Sequence, residues 1–221
     1  MSAEPVNEPV ALGLVPEGRR RDATKNRETL LEAAQAAFAE HPNASLDSIA
    51  QAAGLSRRAL YGHFPDRDGL LREVIDAGAR QFSAIAGSAV SEDPRLALAQ
   101  LAKGLWRAAA AVRASANIAM SDRYSAETAR ALEPLRASLA TLTRRGIASG
   151  AFRADMTDEV LALLVEGAAR AALRDDRITS GDSAATGIKV VLSIVGLSWR
   201  EQAELFEAHP ELVEAGAPSK D

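Results

Sequence analysis

Residues 45 to 64, Ser-Leu-Asp-Ser-Ile-Ala-Gln-Ala-Ala-Gly-Leu-Ser-Arg-Arg-Ala-Leu-Tyr-Gly-His-Phe, constrain the fold more than any other stretch of the chain. Two short helical runs meet at Gly54, and neither is long enough to persist without packing against something else. Ser45 is placed to cap the first run, in which Leu46, Ile49, Ala50 and Ala53 keep helical spacing. Gly54 ends it, tolerating the positive φ of a tight turn. Ser56 then caps a second run, Arg57 to about His63. A third helix must cover both. The segment from Asp22 or Thr24 to Glu40 supplies it, with Leu30, Leu31, Ala34, Ala37 and Phe38 on one stripe and Pro42 closing it. Packed together, the three push the last helix outward, Leu60 and Phe64 turned in and Arg57, Arg58, Tyr61 and His63 turned to solvent.

The rest of the chain reads as all-α. A fourth helix from Asp66 to about Ala86, with Leu70, Leu71, Val74, Ile75, Ala79 and Phe82 in register, makes a rod of roughly 30 Å. Further helices are predicted near Pro94 to Arg113, Ala114 to Arg123, Ala126 to Ser149, Thr157 to Asp175 and Ala185 to Ala208, about nine in all. β-Branched clusters occur only near Val160 to Val165 and Ile188 to Val195, inside longer helical patterns. The expected division is a disordered tail over 1–18, a helix-turn-helix domain over 19–66, a helical domain over 67–208 and a C-terminal tail over 209–221.

Composition narrows the function classes. There is no cysteine, so disulfide and thiol chemistry are excluded, and the three histidines (His41, His63, His209) show no metal-ligand spacing. No phosphate loop, nucleophile elbow or paired-carboxylate motif is present, so neither enzymatic activity, cofactor nor metal is expected. No apolar run approaches a membrane span, and Met1 to Pro16 lack a secretion-signal pattern, which points to the cytoplasm. The formal charge is −4, so a polyanion could be held only by a local patch. Residues 19–64 hold seven basic and five acidic groups, a local +2 against −6 for the remainder.

The outward residues of the second short helix suit double-stranded DNA. Arg57 or Arg58 can fork onto a guanine edge in the major groove. Ser45, Ser56, Tyr61 and His63 suit phosphate oxygens, as do Arg67 at the start of the fourth helix and Arg21, Lys25 and Arg27 on the first. The run Arg19-Arg20-Arg21 reads either as a solvated charge cluster or as an arm for phosphates or a minor groove.

Four blocks carry a resemblance: Thr-Leu-Leu-Glu-Ala-Ala-Gln-Ala-Ala-Phe (29 to 38), Ile-Ala-Gln-Ala-Ala-Gly-Leu-Ser (49 to 56), Leu-Tyr-Gly-His-Phe-Pro (60 to 65) and Asp-Gly-Leu-Leu (68 to 71). In order and spacing they resemble the DNA-binding domain of the tetracycline-repressor (TetR) family of bacterial regulators. Arg-Arg-Gly-Ile-Ala-Ser-Gly-Ala-Phe (144 to 152) looks like that family's late helices. Gly62 and His41-Pro42 depart from the family pattern. The resemblance implies a transcriptional regulator, commonly a repressor, that binds a palindromic operator as a homodimer and is released by a small-molecule effector.

Read for those roles, the helices over 157–175 and 185–208 are apolar around more of their circumference than one stripe requires. Leu161, Leu164, Ala168, Val191, Val195 and Trp199 are therefore expected at a dimer interface. Trp106, Asn117, Met120, Tyr124 and Glu166 are the expected ligand-pocket residues. Two other readings stay open: a helical small-molecule-binding protein whose helix-turn-helix is vestigial, and an activator.

Overall fold

A computed structural model describes residues 17–111, 119, 121–174 and 183–213, and every regular element among them is helical. Helix α1 spans Glu17–Glu40, α2 Leu46–Ala52, α3 Arg57–His63 and α4 Arg67–Ser88. They are followed by α5 (Pro94–Ala111), a 3₁₀ turn (Asp122–Tyr124), α6 (Ser125–Ala131), α7 (Glu133–Ala148) and α8 (Asp158–Arg174). Last come α9 (Ser183–Ile194), α10 (Trp199–Ala208) and a second 3₁₀ turn (Pro210–Leu212).

The short helices are delimited by the expected side chains. Ser45 accepts a hydrogen bond from the Ser48 amide at 3.1 Å, Ser56 from Ala59 at 3.2 Å and Asp66 from Gly69 at 2.7 Å. Gly54 takes φ +66° in the turn between α2 and α3. Leu30, Phe38, Ile49, Leu60, Phe64 and Leu70 lie wholly buried among α1 to α4. This head core continues past residue 66 through Val74 and Ile75 of α4, and it also takes in Tyr124. The remaining helices form the body, whose core includes Leu98, Leu161, Ile188, Leu192 and Val195. There α9 packs against both α5 and α8, and α7 against α8. The close approach of α9 to α5 requires Gly187, because a Cβ there would sit 2.4 Å from Trp106 Cε3.

Several boundaries differ from the sequence expectation. Helix α1 starts at Glu17, so residues 17 and 18 of the predicted tail, and Arg19-Arg20-Arg21 after them, are helical; residues 1–16 lie outside the described residues. The predicted helix over 126–149 is two helices, with Pro134 in the first turn of α7, where a missing amide hydrogen costs nothing. The predicted helix over 185–208 is also two. Gly196, at φ +102°, turns the chain, and Ser198 and Glu201 close a reciprocal capping box at the start of α10. The predicted C-terminal tail begins inside the body, for Leu212 is buried in its core. Residues 112–118, where another helix was predicted, lie outside the described residues.

Candidate functional site

The first surface of interest is α3 with its surroundings. Arg57, Arg58 and Tyr61 are exposed on α3, and Ser56 is exposed at its start. Arg57 forms an ion pair with Asp47 of α2, a surface pair that a phosphate or base edge can displace at little cost. His63 is half-buried, its ring 6.3 Å from that of Phe64. Ser45 is exposed but spends its oxygen capping α2. Arg21 and Lys25 are exposed one turn apart on α1.

Two of the predicted contacts are instead drawn into the protein. Arg67 lies over the Phe38 ring at 5.1 Å and donates to the carbonyls of Pro42 at 2.5 Å and Ala44 at 3.4 Å. It thereby pins the α1–α2 loop to α4, a structural use that spacing along the chain does not disclose. Arg27 lies over Phe64 at 5.5 Å and pairs with Glu73 at 2.6 Å, tying α1 to α4.

The second feature is the junction between head and body. Asp68, in the first turn of α4, accepts hydrogen bonds from the Tyr124 hydroxyl at 2.8 Å and from Arg123. These two donors hold its carboxyl below the usual carboxylate range. Burial, then Asp68 itself, pushes the Tyr124 phenol up. One turn further along α4, Arg72 reaches Glu127 of α6 at 3.5 Å. Tyr124 was expected in the ligand pocket; it is buried in the head core instead, because its hydroxyl is claimed by α4.

The third feature is a cavity of about 210 Å³ in the body. Its wall is mainly apolar, built from α4 (Val74, Ile75, Phe82), α5 (Leu101, Leu105, Trp106), α7 (Leu135, Leu139) and α8 (Val165, Ala169). Gln35 of α1 and Thr128 of α6 also reach it, so it touches both the head and the junction. Of the predicted pocket residues, Trp106 and Glu166 line it, while Asn117 and Met120 lie outside the described residues. A more open hollow of about 400 Å³, bordered by Ser138, Thr141 and Arg145, lies elsewhere on the body and lacks this enclosure.

The cavity has one charged corner, of which the sequence reading found only Glu166. Arg136 of α7 forks onto it, Nε to Oε2 at 2.8 Å and Nη2 to Oε1 at 2.9 Å, and Arg170 also donates to Oε1. Arg136 in turn donates to the Ala129 carbonyl at 2.9 Å. With Arg136 the larger influence, the two guanidiniums hold Glu166 below the usual carboxylate range despite its partial burial. The Glu166–Arg170 pair was legible as a four-residue helical spacing. Arg136 was not, being thirty positions away on another helix.

The residues expected at a dimer interface fall into two sets. Leu161, Val191 and Val195 are buried in the body core of a single chain, whereas Leu164 and Trp199 are exposed and Ala168 is half-buried. On α8, Val160, Leu163, Leu164, Gly167 and Ala171 form an exposed apolar stripe that is continuous at helical spacing.

Residues 30–74 match the model of the bacterial regulatory proteins of the tetR family. The HTH-type transcriptional repressor LfrR of Mycolicibacterium smegmatis is 40% identical over 50 residues, 23% of this chain. That match spans about a quarter of the repressor's length (26%). Among solved structures, the fatty acid degradation regulator FadR of Bacillus halodurans aligns with a TM-score of 0.68 at 18% identity, covering 77% of this chain and 95% of that one. FadR of Bacillus subtilis, solved in complex with stearoyl-CoA, aligns with a TM-score of 0.67 at 15% identity, covering 76% and 97%. The match to the tetR-family model thus lies within the head, and the likeness to the solved regulators extends through the body as a likeness of fold.

Proposed function

We propose that this chain, whose amino-terminal module belongs to the bacterial regulatory proteins of the tetR family, is a transcriptional repressor that binds a palindromic operator as a homodimer and leaves it when a small molecule enters the body. The observation that carries the reading is α3, packed against α1 and α2, with Arg57, Arg58 and Tyr61 exposed on a helix too short to persist without that packing. Such a helix enters a major groove with arginine forks for base edges. Arg21 and Lys25 on α1, with Ser45, Ser56 and His63, supply phosphate contacts that fix register.

The α8 stripe supports the dimer. Val160, Leu163 and Leu164 are 45%, 67% and 43% exposed, and Trp199 at the start of α10 is 72% exposed. Large apolar side chains this exposed in a row on α8 favour a partner surface, and a second copy of the chain is the commonest one. Leu164 and Ala168 belong to that stripe, Trp199 is a separate exposed apolar side chain on α10, and Leu161, Val191 and Val195 lie in the core of the body.

The cavity supports effector control. It is bounded by the same α4 whose first turns complete the head, and by α6, which leads into the Asp68 junction. A ligand favouring one position of α4 over another by a few kcal/mol would alter the spacing of two α3 helices that must meet successive grooves. Titration of random duplex DNA at a series of salt concentrations tests the DNA half. Binding that weakens with salt, with a shallower slope in Arg21→Ala and Lys25→Ala, supports it; a slope unchanged in both variants, or no binding at low salt, removes it. Sedimentation velocity tests the dimer: Leu163→Glu should shift the protein toward monomer.

A further inference from the structure

We infer that the effector is an amphipathic monoanion, an apolar body carrying one carboxylate, whose charged end docks on Arg170 and Arg136 beside Glu166. The inference rests on the reading of the cavity as an effector site, and it adds the chemical class of the occupant.

The argument is one of charge count inside an apolar enclosure. Among the described residues, two guanidiniums and one carboxylate line the same corner, an excess of one positive charge facing an otherwise mainly apolar wall, with the exposed Glu133 acting on Arg136 from outside the lining. All three side chains are half-buried, Arg136 and Arg170 about one-third exposed and Glu166 one-fifth. An excess positive charge beside an apolar wall favours an anion as its partner, by an amount that solvent screening reduces. Glu166 already accepts from Arg136 through two nitrogens and from Arg170 through a third. A cationic ligand would therefore compete with two guanidiniums for the one carboxylate.

Arg170 offers the docking point. Arg136 uses three of its nitrogens, two on Glu166 and one on the Ala129 carbonyl. Among the described residues Arg170 is held to Glu166 through Nη2, and the rest of its planar donor fork suits a second carboxylate. The ring of Trp106 and the side chains of Phe82, Leu101, Leu105 and Val165 line the remainder of the cavity, where an alkyl or aryl body gains by burial. Held there, the ligand would bridge α7 and α8 at its head and lie along α4 with its body.

The test uses the full chain and three matched probes: octanoate, octanol and octyltrimethylammonium. Binding is followed by calorimetry and by tryptophan fluorescence, since Trp106 lines the cavity. Octanoate should bind at least roughly ten-fold more tightly than octanol, as expected for charge-assisted hydrogen bonds, and the ammonium most weakly. Arg170→Met should bring octanoate and octanol close to equal, and Arg170→Lys should keep part of the preference. Octanol binding as well as octanoate, preference for the ammonium, an unchanged ratio in Arg170→Met, or no binding by any probe would overturn the inference. Octanoate that binds as described yet does not loosen DNA leaves the inference standing and contradicts effector control instead.

Discussion

The Tyr124 hydroxyl donates to Asp68 Oδ1 at 2.8 Å, joining two residues 56 positions apart, and this bond links the first turn of α4 to the segment that leads into the cavity wall. Arg123 adds a second donor to the same carboxylate, and Tyr124 packs into the head core. The Asp68 carboxylate thus ties α4 to two partners at the junction of head and body, one turn from the Arg72–Glu127 pair. Tyr124→Phe keeps the ring and removes the bond. DNA affinity without effector should change little, while the loosening caused by effector should shrink several-fold, because the coupling between the two sites runs partly through this contact. Paired DNA titrations with and without a bound probe measure it; an unchanged effector response would place the coupling elsewhere.

The same carboxylate gives a pH dependence of defined sign. Asp68 ionises more readily in the folded chain than in the unfolded one, owing to Tyr124 and then Arg123. Its contribution to stability is therefore complete above about pH 4 and is lost as the pH falls through the lower folded value. Denaturant midpoints across the acid range should fall less steeply for Asp68→Asn than for the wild type. Parallel profiles would show that Asp68 contributes nothing to acid lability.

Two arginines expected to touch DNA, Arg58 at a base edge and Arg67 at the backbone, should behave differently. Arg58→Ala should leave stability unchanged and relax discrimination at one base position by about 1–3 kcal/mol, the range for a lost bidentate base contact. Arg67→Ala should lower stability by about 1–2 kcal/mol through the lost Phe38 stacking and loop hydrogen bonds. Denaturation and DNA titration on both variants separate the roles.

Gly62 lies exposed in α3, and a Cβ there would meet nothing within 4 Å. Gly62→Ala should stabilise the head by up to about 1 kcal/mol, since glycine is the poorer helix former, with DNA affinity kept or raised. Thermal melting of the variant checks the gain. Lost DNA affinity at unchanged stability would mean that the duplex backbone needs the space.

At Gly187 the opposite holds. A methyl group there would lie 2.4 Å from Trp106 Cε3 and 2.7 Å from Cζ3, so the indole has to move. Gly187→Ala should cost about 1–3 kcal/mol by overpacking and weaken probe binding in the cavity. Normal melting and normal binding together would contradict the packing described for α5 and α9.

The head was legible in the sequence because its determinants are local. Ser45, Gly54 and Ser56 act within a few residues of themselves, and the stripes of α1 and α2 follow helical period. The body was less so. Gly196 and Ser198 break a pattern whose apolar spacing runs on undisturbed, and periodicity alone cannot see a turn that keeps the register. The partners of Tyr124, Arg67 and Arg136 went unseen for another reason. Those partners, Asp68, the Pro42 carbonyl and Glu166, lie from 25 to 56 positions away, and only the fold brings them together. Apolar character likewise marked α8 as unusual, but could not separate Leu161, which faces the chain's own core, from Leu163, which faces outward.

Selection of bound sites from a random duplex library, carried out in parallel with the wild type and with Arg58→Ala, tests the central claim most directly. A two-fold palindrome enriched by the wild type, and lost or relaxed at matching positions of both half-sites in the variant, is the predicted result. No enrichment at low salt, or a single unpaired half-site recovered equally by both proteins, would contradict a dimer reading DNA through α3.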